Sequence, residues 1–313
     1  MKTRNLNSQM KKFGVGLLAV TLAPGAAWAC ACGCGVFDVA TSSMLPSGEG
    51  GMAWLQYDYQ DQNRNWNGTS QASAANNGDK EIETHFVTAG FQYLFNRSWG
   101  VQVEAPYDAR YFKGTDINGN ISSHSWNQLG DIRLEGVYTG FFEDLSAGVT
   151  FGLKLPTGSF TEDPALVDRD TQIGTGSTDV LLGGFYRGQF TAKTPLDWFA
   201  QAALDLPALT QAGYRPGVEF DSAAGIDYQG LHLGRAAISP VAQVIFSERT
   251  SDSGSNADAE NTGYQRLMLS PGFEIHLHPV IIYADAEFPV FQHFTGDQLA
   301  APVLFKLSIS YMF

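Results

Sequence analysis

The sequence predicts an all-β protein, a transmembrane antiparallel up-and-down β-barrel of about twelve strands. Three observations predict this fold. The chain begins with a segment typical of a secretory signal peptide, continues with extended stretches in which apolar and polar residues alternate, and finishes with a strand that ends on Phe313. Successive residues of a strand point to opposite faces, so alternation can put one face against lipid and the other in a polar interior.

Residues 1–29 have the composition of a secretory signal peptide. A basic start precedes a short apolar stretch at residues 14–23, and Ala27 and Ala29 are the small residues that a signal peptidase reads. We expect cleavage after Ala29 and export to the outer membrane of a Gram-negative bacterium. The apolar stretch is shorter than the roughly 20 residues that a membrane-spanning helix needs.

Residues 30–50 are expected to form a periplasmic tail or a small plug. All three cysteines of the chain, Cys30, Cys32 and Cys34, lie in this segment. Thiolates favour copper(I), zinc and iron–sulfur clusters, so the segment is a candidate for a soft-metal or redox site at the barrel mouth. The alternative is disulfide exchange in an oxidising compartment. Apart from such a metal, the sequence predicts no cofactor.

Residues 51–313 are expected to form the barrel. The alternating stretches are 51–60, 82–94, 99–110, 129–139, 145–156, 177–189, 197–206, 217–228, 231–246, 264–277, 280–290 and 303–313. An even number of strands brings both ends of the chain to one side of a membrane. The spacers alternate between long ones, among them residues 157–176 and 291–302, and short ones such as residues 95–98. This asymmetry is typical of long extracellular loops and short periplasmic turns, which predicts two periplasmic termini.

Charged residues in these stretches fall almost entirely on the polar phase. A lipid-facing Arg or Lys at the bilayer midplane costs about 2–4 kcal/mol, so the polar phase should face the lumen. The charged residues predicted to line it are Glu104, Asp131, Arg133, Glu135, Lys154, Asp179, Arg187, Asp205, Asp227, Arg266, Glu274, Asp285, Glu287 and Lys306. They either line a path for solutes or pair with one another in a narrow, closed barrel.

Two further expectations concern local features. Pro240 and Pro271 lie inside predicted strands, where proline should cause bulges or bends because it cannot donate to the ladder. Asp163, Asp168 and Asp170 share one long loop. Their oxygens would suit calcium, but a solvated acidic loop is the favoured interpretation.

The expected partners follow from charge and from the last strand. Removing residues 1–29 removes four basic and no acidic residues, which takes the formal net charge from −13 to −17. Such a protein repels nucleic acid. In residues 305–313 the apolar positions alternate with polar ones and end on Phe313, which resembles the signal that the barrel-assembly machinery recognises in outer-membrane proteins. The other expected partners are outer-membrane lipid and a small solute.

Three short segments resemble a known family. They are residues 153–158 with the sequence LKLPTG, residues 173–183 with IGTGSTDVLLG, and residues 129–133 with LGDIR. They are similar to the central signature of a family of outer-membrane channels named after the meta-pathway of phenol degradation. The resemblance implies a barrel that passes small solutes, apolar or aromatic ones among them, and it carries no site residues.

The sequence therefore predicts an outer-membrane channel or transporter. The alternative is a barrel that transports nothing and anchors a Cys-rich tail, which binds a metal or docks an electron-transfer partner in the periplasm. An enzyme is not expected, because the histidines and serines show no arrangement typical of a lipid hydrolase.

Overall fold

The computed structural model describes residues 45–46, 50–116 and 119–313. Their strands are β1 (Gly50–Gln62), β2 (Arg64–Gly68), β3 (Ser70–Gln71), β4 (Asp79–Leu94), β5 (Trp99–Thr115), β6 (Ile121–Leu129), β7 (Ile132–Tyr138), β8 (Ala147–Leu155), β9 (Ser177–Gln189), β10 (Leu196–Thr210), β11 (Glu219–Tyr228), β12 (Leu231–Leu233), β13 (Ala236–Arg249), β14 (Tyr264–Leu277), β15 (Val280–Ala300) and β16 (Leu304–Met312). The helices in these ranges are two 3₁₀ turns, and neither is long or apolar enough to cross a membrane.

The long strands close into one antiparallel barrel. Each pairs with its neighbours along the chain, and β1 pairs with β16 from Met52 opposite Met312 to Gln60 opposite Leu304. Counting β6 and β7 as the two halves of one strand, the barrel has twelve strands, which confirms the predicted fold. Short turns lie at one end, called the turn end here, and long loops lie at the other, the loop end. The periplasmic position of the termini stays a prediction.

The alternation of the last strand shows how the sequence determines the two faces. Phe305, Leu307 and Ile309 are between 42% and 49% exposed, whereas Lys306 and Ser308 are 3% and 1% exposed. A similar alternation of exposed and buried residues runs through other barrel strands, among them β8, β13 and β14. The outer surface is therefore apolar, and the interior holds the polar and charged side chains.

The fourth barrel strand differs from the prediction. Residues 121–128 also form strand, as β6, and a break at residues 130–131 separates β6 from β7. Both halves continue one ladder along β5, with Tyr107 opposite Leu129 and Glu104 opposite Arg133. The polar composition of β6 concealed it, because this half extends past the apolar outer surface at the loop end.

The predicted loop at residues 291–302 is largely wrong. β15 continues to Ala300, and its last part pairs with β2, from Phe294 opposite Gly68 to Ala300 opposite Arg64. The expectation of a bulge at Pro240 and Pro271 is wrong, although the β14–β15 ladder has no pair at residues 270–271, so the pairing there is interrupted at Pro271. Both residues lie in the β13–β14 ladder without a register shift, and the shift nearby falls at residues 267–268 of the β14–β15 pair.

Candidate lumen site

The barrel interior contains a chamber of about 250 Å³. Its lining combines carboxylates, a smaller number of cations and apolar side chains. The carboxylates are Asp58, Glu104, Asp108, Asp131, Glu135, Asp205, Glu219 and Asp221; the cations are Arg110, Arg133 and Lys154; the apolar residues include Leu45, Trp54, Phe86, Pro106, Val137, Ile173, Leu181 and Phe185. Carboxylates outnumber cations, so the lining as a whole is negatively charged.

The segment before β1 enters the barrel at the turn end. Leu45 is 6% exposed and belongs to a buried cluster with Phe185, Phe199, Val241 and Tyr283, whose side chains face the interior. Arg187 donates a hydrogen bond to the backbone carbonyl of Pro46. The chain therefore obstructs its own lumen at this end. Residues 30–44, and with them Cys30, Cys32 and Cys34, lie outside the described residues.

The long loop at residues 156–176 covers the chamber at the loop end. Val167 is 1% exposed and packs with Ile173 of the same loop against Ile82, Phe112 and Trp126 of the barrel wall. The loop is therefore folded inward, with an apolar contact surface of its own.

Polar contacts hold the loop from both sides. The guanidinium of Arg110 donates to the carbonyl of Thr171 from the lumen wall. The guanidinium of Arg169 lies 4.6 Å from the ring centroid of Phe160 and 4.1 Å from that of Tyr214. Such contacts between a cation and an aromatic ring are favourable, so the long loop is tied to the segment that carries Tyr214, also at the loop end, as well as to the wall.

Asp131 anchors the base of this loop. One carboxylate oxygen accepts from the backbone N–H of Gly158 at 2.9 Å, and the other accepts from the N–H of Thr175 at 2.9 Å and its hydroxyl at 2.5 Å. A Cβ on Gly174 would lie 2.1 Å from the carbonyl oxygen of Gly158, so the close contact requires glycine. The three segments that carry the family resemblance meet here, although they are far apart in the sequence.

Lys154 lies between two carboxylates on the chamber wall. Its ammonium contacts Asp179, which is its partner in the β8–β9 ladder, and Asp205 at 3.0 Å. Arg133 approaches Asp205 at 3.9 Å. Part of the predicted set of lumen residues therefore forms ion pairs with one another.

A second network of polar side chains lies on the part of the barrel wall formed by β13, β14, β15 and β16. One oxygen of Asp285 accepts from the hydroxyls of Tyr283 and Ser270, both at 2.6 Å, and from the amide of Gln243 at 3.0 Å. Other buried charged residues on this wall are Arg266, Glu274, Glu287 and Lys306. These residues, together with Asp179, Arg187 and Asp227, do not border the chamber, whereas Glu104, Asp131, Arg133, Glu135, Lys154 and Asp205 do.

Several chamber residues were absent from the predicted set. Asp58, Asp108 and Arg110 border the chamber. Asp108 and Arg110 are four and six residues after Glu104 on β5, so the alternation that predicts Glu104 on the inner face predicts these two as well. Asp58 alternates with Tyr57 and Tyr59 in the same way. Leu45 has no comparable signal, because it precedes the first strand and its burial depends on the folded barrel.

The acidic residues of the long loop are not all solvated as expected. Asp163 is exposed, but Asp170 is 7% exposed and Asp168 is partly buried near Asp79 of β4. Burial raises the pKa of Asp168 to about 7, and the charge of Asp170 adds to the shift. Within the described ranges, no three His, Cys, Asp or Glu residues are arranged to hold a metal ion.

No protein-family profile and no curated protein matches this sequence. Among solved structures, an outer-membrane channel from Pseudomonas putida F1 has a similar barrel, with a TM-score of 0.59 and 11% identity over 88% of this chain and 100% of that chain. The β-domain of the Bordetella autotransporter BrkA has a TM-score of 0.51 and 10% identity over 85% of this chain and 100% of that chain. At these identities the similarity concerns the fold, and the resemblance to the phenol meta-pathway family stays a prediction. This chain has the fold of outer-membrane β-barrels.

Proposed function

We propose that this protein is an outer-membrane channel or transporter that carries small solutes through the barrel. The observation that supports this function best is the chamber, an internal space of about 250 Å³ between Leu45 and the inward-folded loop. A cavity of about 150 Å³ accommodates benzene. The chamber therefore has room for a small aromatic molecule, which a barrel interior filled by side chains would not have.

The orientation and the solute class belong to the same proposal. Short turns are typical of the periplasmic side, so the turn end faces the periplasm, after removal of residues 1–29, and the long loops face outward. Phe313 engages the barrel-assembly machinery, and the apolar outer surface contacts lipid. The similar fold of the Pseudomonas putida channel supports a transport role. The apolar residues of the chamber favour solutes with an apolar or aromatic part.

Conductance and liposome swelling test this function. Mature protein refolded into liposomes and planar bilayers should show stepwise conductance, and swelling that falls as the solutes become larger. Liposomes that received heat-denatured protein are the control for leakage. A folded barrel with neither conductance nor swelling for any solute would contradict a channel.

The alternative function depends on the cysteines, which lie outside the described residues. It predicts that zinc or copper(I) binds the mature protein and that Cys30→Ser, Cys32→Ser and Cys34→Ser together abolish this binding. A barrel that binds such a metal and does not conduct would favour this alternative, in which the barrel only anchors the Cys-rich tail. Steady conductance that is unchanged by the three substitutions would count against it.

A further inference from the structure

Three residues stand side by side at one level of the chamber wall. Asp58 of β1 pairs with Phe86 of β4, and Phe86 pairs with Asp108 of β5. Residues directly opposite each other in an antiparallel ladder have Cβ atoms about 4.5–5.5 Å apart on the same face. All three residues border the chamber. The wall therefore presents an aromatic ring between two carboxylates.

Both carboxylates are buried, and each has an oxygen to which none of the described residues donates a hydrogen bond. Asp58 is 1% exposed and Asp108 is 6% exposed. The Oδ1 atom of each has no hydrogen-bond partner in the part of the chain that the structure describes. The other oxygen of Asp58 accepts from the amide of Gln56 at 2.7 Å. Since a buried acceptor without a donor is costly, a ligand that donates hydrogen bonds would stabilise this wall.

The cations near these two carboxylates also serve other acceptors. Arg110, two residues from Asp108, donates to the hydroxyl of Thr84 at 3.1 Å and to a carbonyl of the long loop. Lys306 is opposite Asp58 in the β1–β16 ladder and opposite Asp285 in the β15–β16 ladder. The surplus of carboxylates around the chamber therefore remains after these cations are counted.

We propose that the row Asp58–Phe86–Asp108 binds the ammonium group of a small amphipathic cation such as an aromatic amine. The carboxylates accept charge-assisted hydrogen bonds from the ammonium, and the ring of Phe86 adds the attraction between a cation and the face of an aromatic ring. The apolar body of the ligand lies against the apolar side of the chamber, near Leu181. The inference rests on the proposed function, because it treats the chamber as a space that solutes enter.

Calorimetry on the intact mature barrel in detergent tests the site with three probes of similar size. Benzylammonium is the cation, benzyl alcohol is its neutral counterpart and benzoate is an anion. We expect benzylammonium to bind at least about tenfold more tightly than the other two, since it alone brings a charged donor to the carboxylates. This comparison needs no variant, so it does not depend on the folding of an altered chain.

Matched variants locate the binding. Asp58→Asn combined with Asp108→Asn should weaken benzylammonium binding about tenfold, because the amides keep the shape and remove the charge. Phe86→Leu should cause a smaller loss. Asp227→Asn removes a buried carboxylate of the lumen away from the chamber and should leave the affinity unchanged.

Conductance of the same preparation separates this inference from the proposed function. Equal affinity for the three probes, or an affinity unchanged in the double variant, overturns the ammonium site even if the barrel conducts. Selective binding by a barrel that does not conduct supports the site and contradicts the channel.

Discussion

Single carboxylates perform different tasks in this barrel, depending on the donors that surround them. Asp131 accepts three hydrogen bonds and fixes a loop. Asp179 and Asp205 share the ammonium of Lys154. Asp58 and Asp108 each keep an oxygen for which the described residues offer no donor. The polar phase of the strands leads to Asp58, Asp108, Asp179 and Asp205, whereas Asp131 lies in the break between β6 and β7, and the donors around each carboxylate come from other segments and depend on the fold.

Replacing Asp131 with Ala should release the long loop. The N–H groups of Gly158 and Thr175 would lose their acceptor, at a cost of about 1–3 kcal/mol for each donor left buried and unsatisfied. Limited trypsin digestion reports the release, because cleavage after Arg169 requires this residue to leave Phe160 and Tyr214. Asp163→Asn, at an exposed position of the same loop, is the control. If the Asp131 variant and the parent protein are cleaved equally fast, Asp131 does not hold the long loop in place.

The long loop should also respond to pH through Asp168. Its pKa lies near 7 in the docked loop and at the ordinary value of 3.8 when exposed, so the docked loop binds the proton more tightly. This stabilisation is fully present below about pH 4 and is lost as the pH rises through about 7. Hydrogen exchange of residues 160–172, corrected for the intrinsic rate, should therefore be several-fold faster at pH 8.5 than at pH 5.

Asp168→Asn is the matched variant for this pH effect. The amide cannot ionise, so exchange in the loop should lose most of its pH dependence. If the corrected exchange rates of the parent protein are the same at both pH values, ionisation of Asp168 does not control the loop.

At the scale of the strands, the period-two pattern carries most of the predictable information. β9 and β14 have the predicted bounds, because both alternate over their full length within the apolar surface. β6 and the second half of β15 were not predicted as strand, since they pair beyond that surface and have no apolar phase. The long loop was predicted to exist, but its inward packing depends on an apolar cluster that Val167 and Ile173 form with residues of β4, β5, β6 and β15.

A charge on the outer face tests the predicted lipid contact. Ile309 is 49% exposed on the apolar face of β16, and Ile309→Arg should lower the free energy of unfolding in lipid by about 2–4 kcal/mol if this position lies near the midplane. Urea titration of barrels folded into liposomes measures the change. Ile309→Leu keeps the position apolar and should have a small effect. A variant with Arg that is as stable as the one with Leu would place Ile309 outside the hydrocarbon.

For the whole molecule, the chamber exists because the barrel is obstructed from both ends by its own chain. Leu45 packs at the turn end and the long loop packs at the loop end. The twelve-strand closure and the two faces follow from patterns in the sequence. The inward packing of the long loop does not, and for residues 30–50 the sequence left a periplasmic tail and a small plug as alternatives, because a segment without alternation docks only onto a surface that other strands create.

Removing the obstruction at the turn end should increase conductance. Leu45→Asp puts a charge into the apolar cluster of Phe185, Phe199, Val241 and Tyr283, which disfavours the docked segment. Single-channel recordings should then show larger steps than the parent protein. Leu233→Asp changes a 73% exposed residue at the end of the short strand β12 and is the control. If the two variants conduct alike, the segment around Leu45 does not limit the current.

The pairing of β1 with β16 has a kinetic consequence. These strands come from opposite ends of the sequence, so their ladder joins residues as distant as Met52 and Met312 and must overcome a large entropy of chain closure. Leu45 lies just ahead of β1 and inside the finished ring. We therefore expect the closure of β1 against β16 to be the slow step of assembly and the step that encloses Leu45 in the barrel.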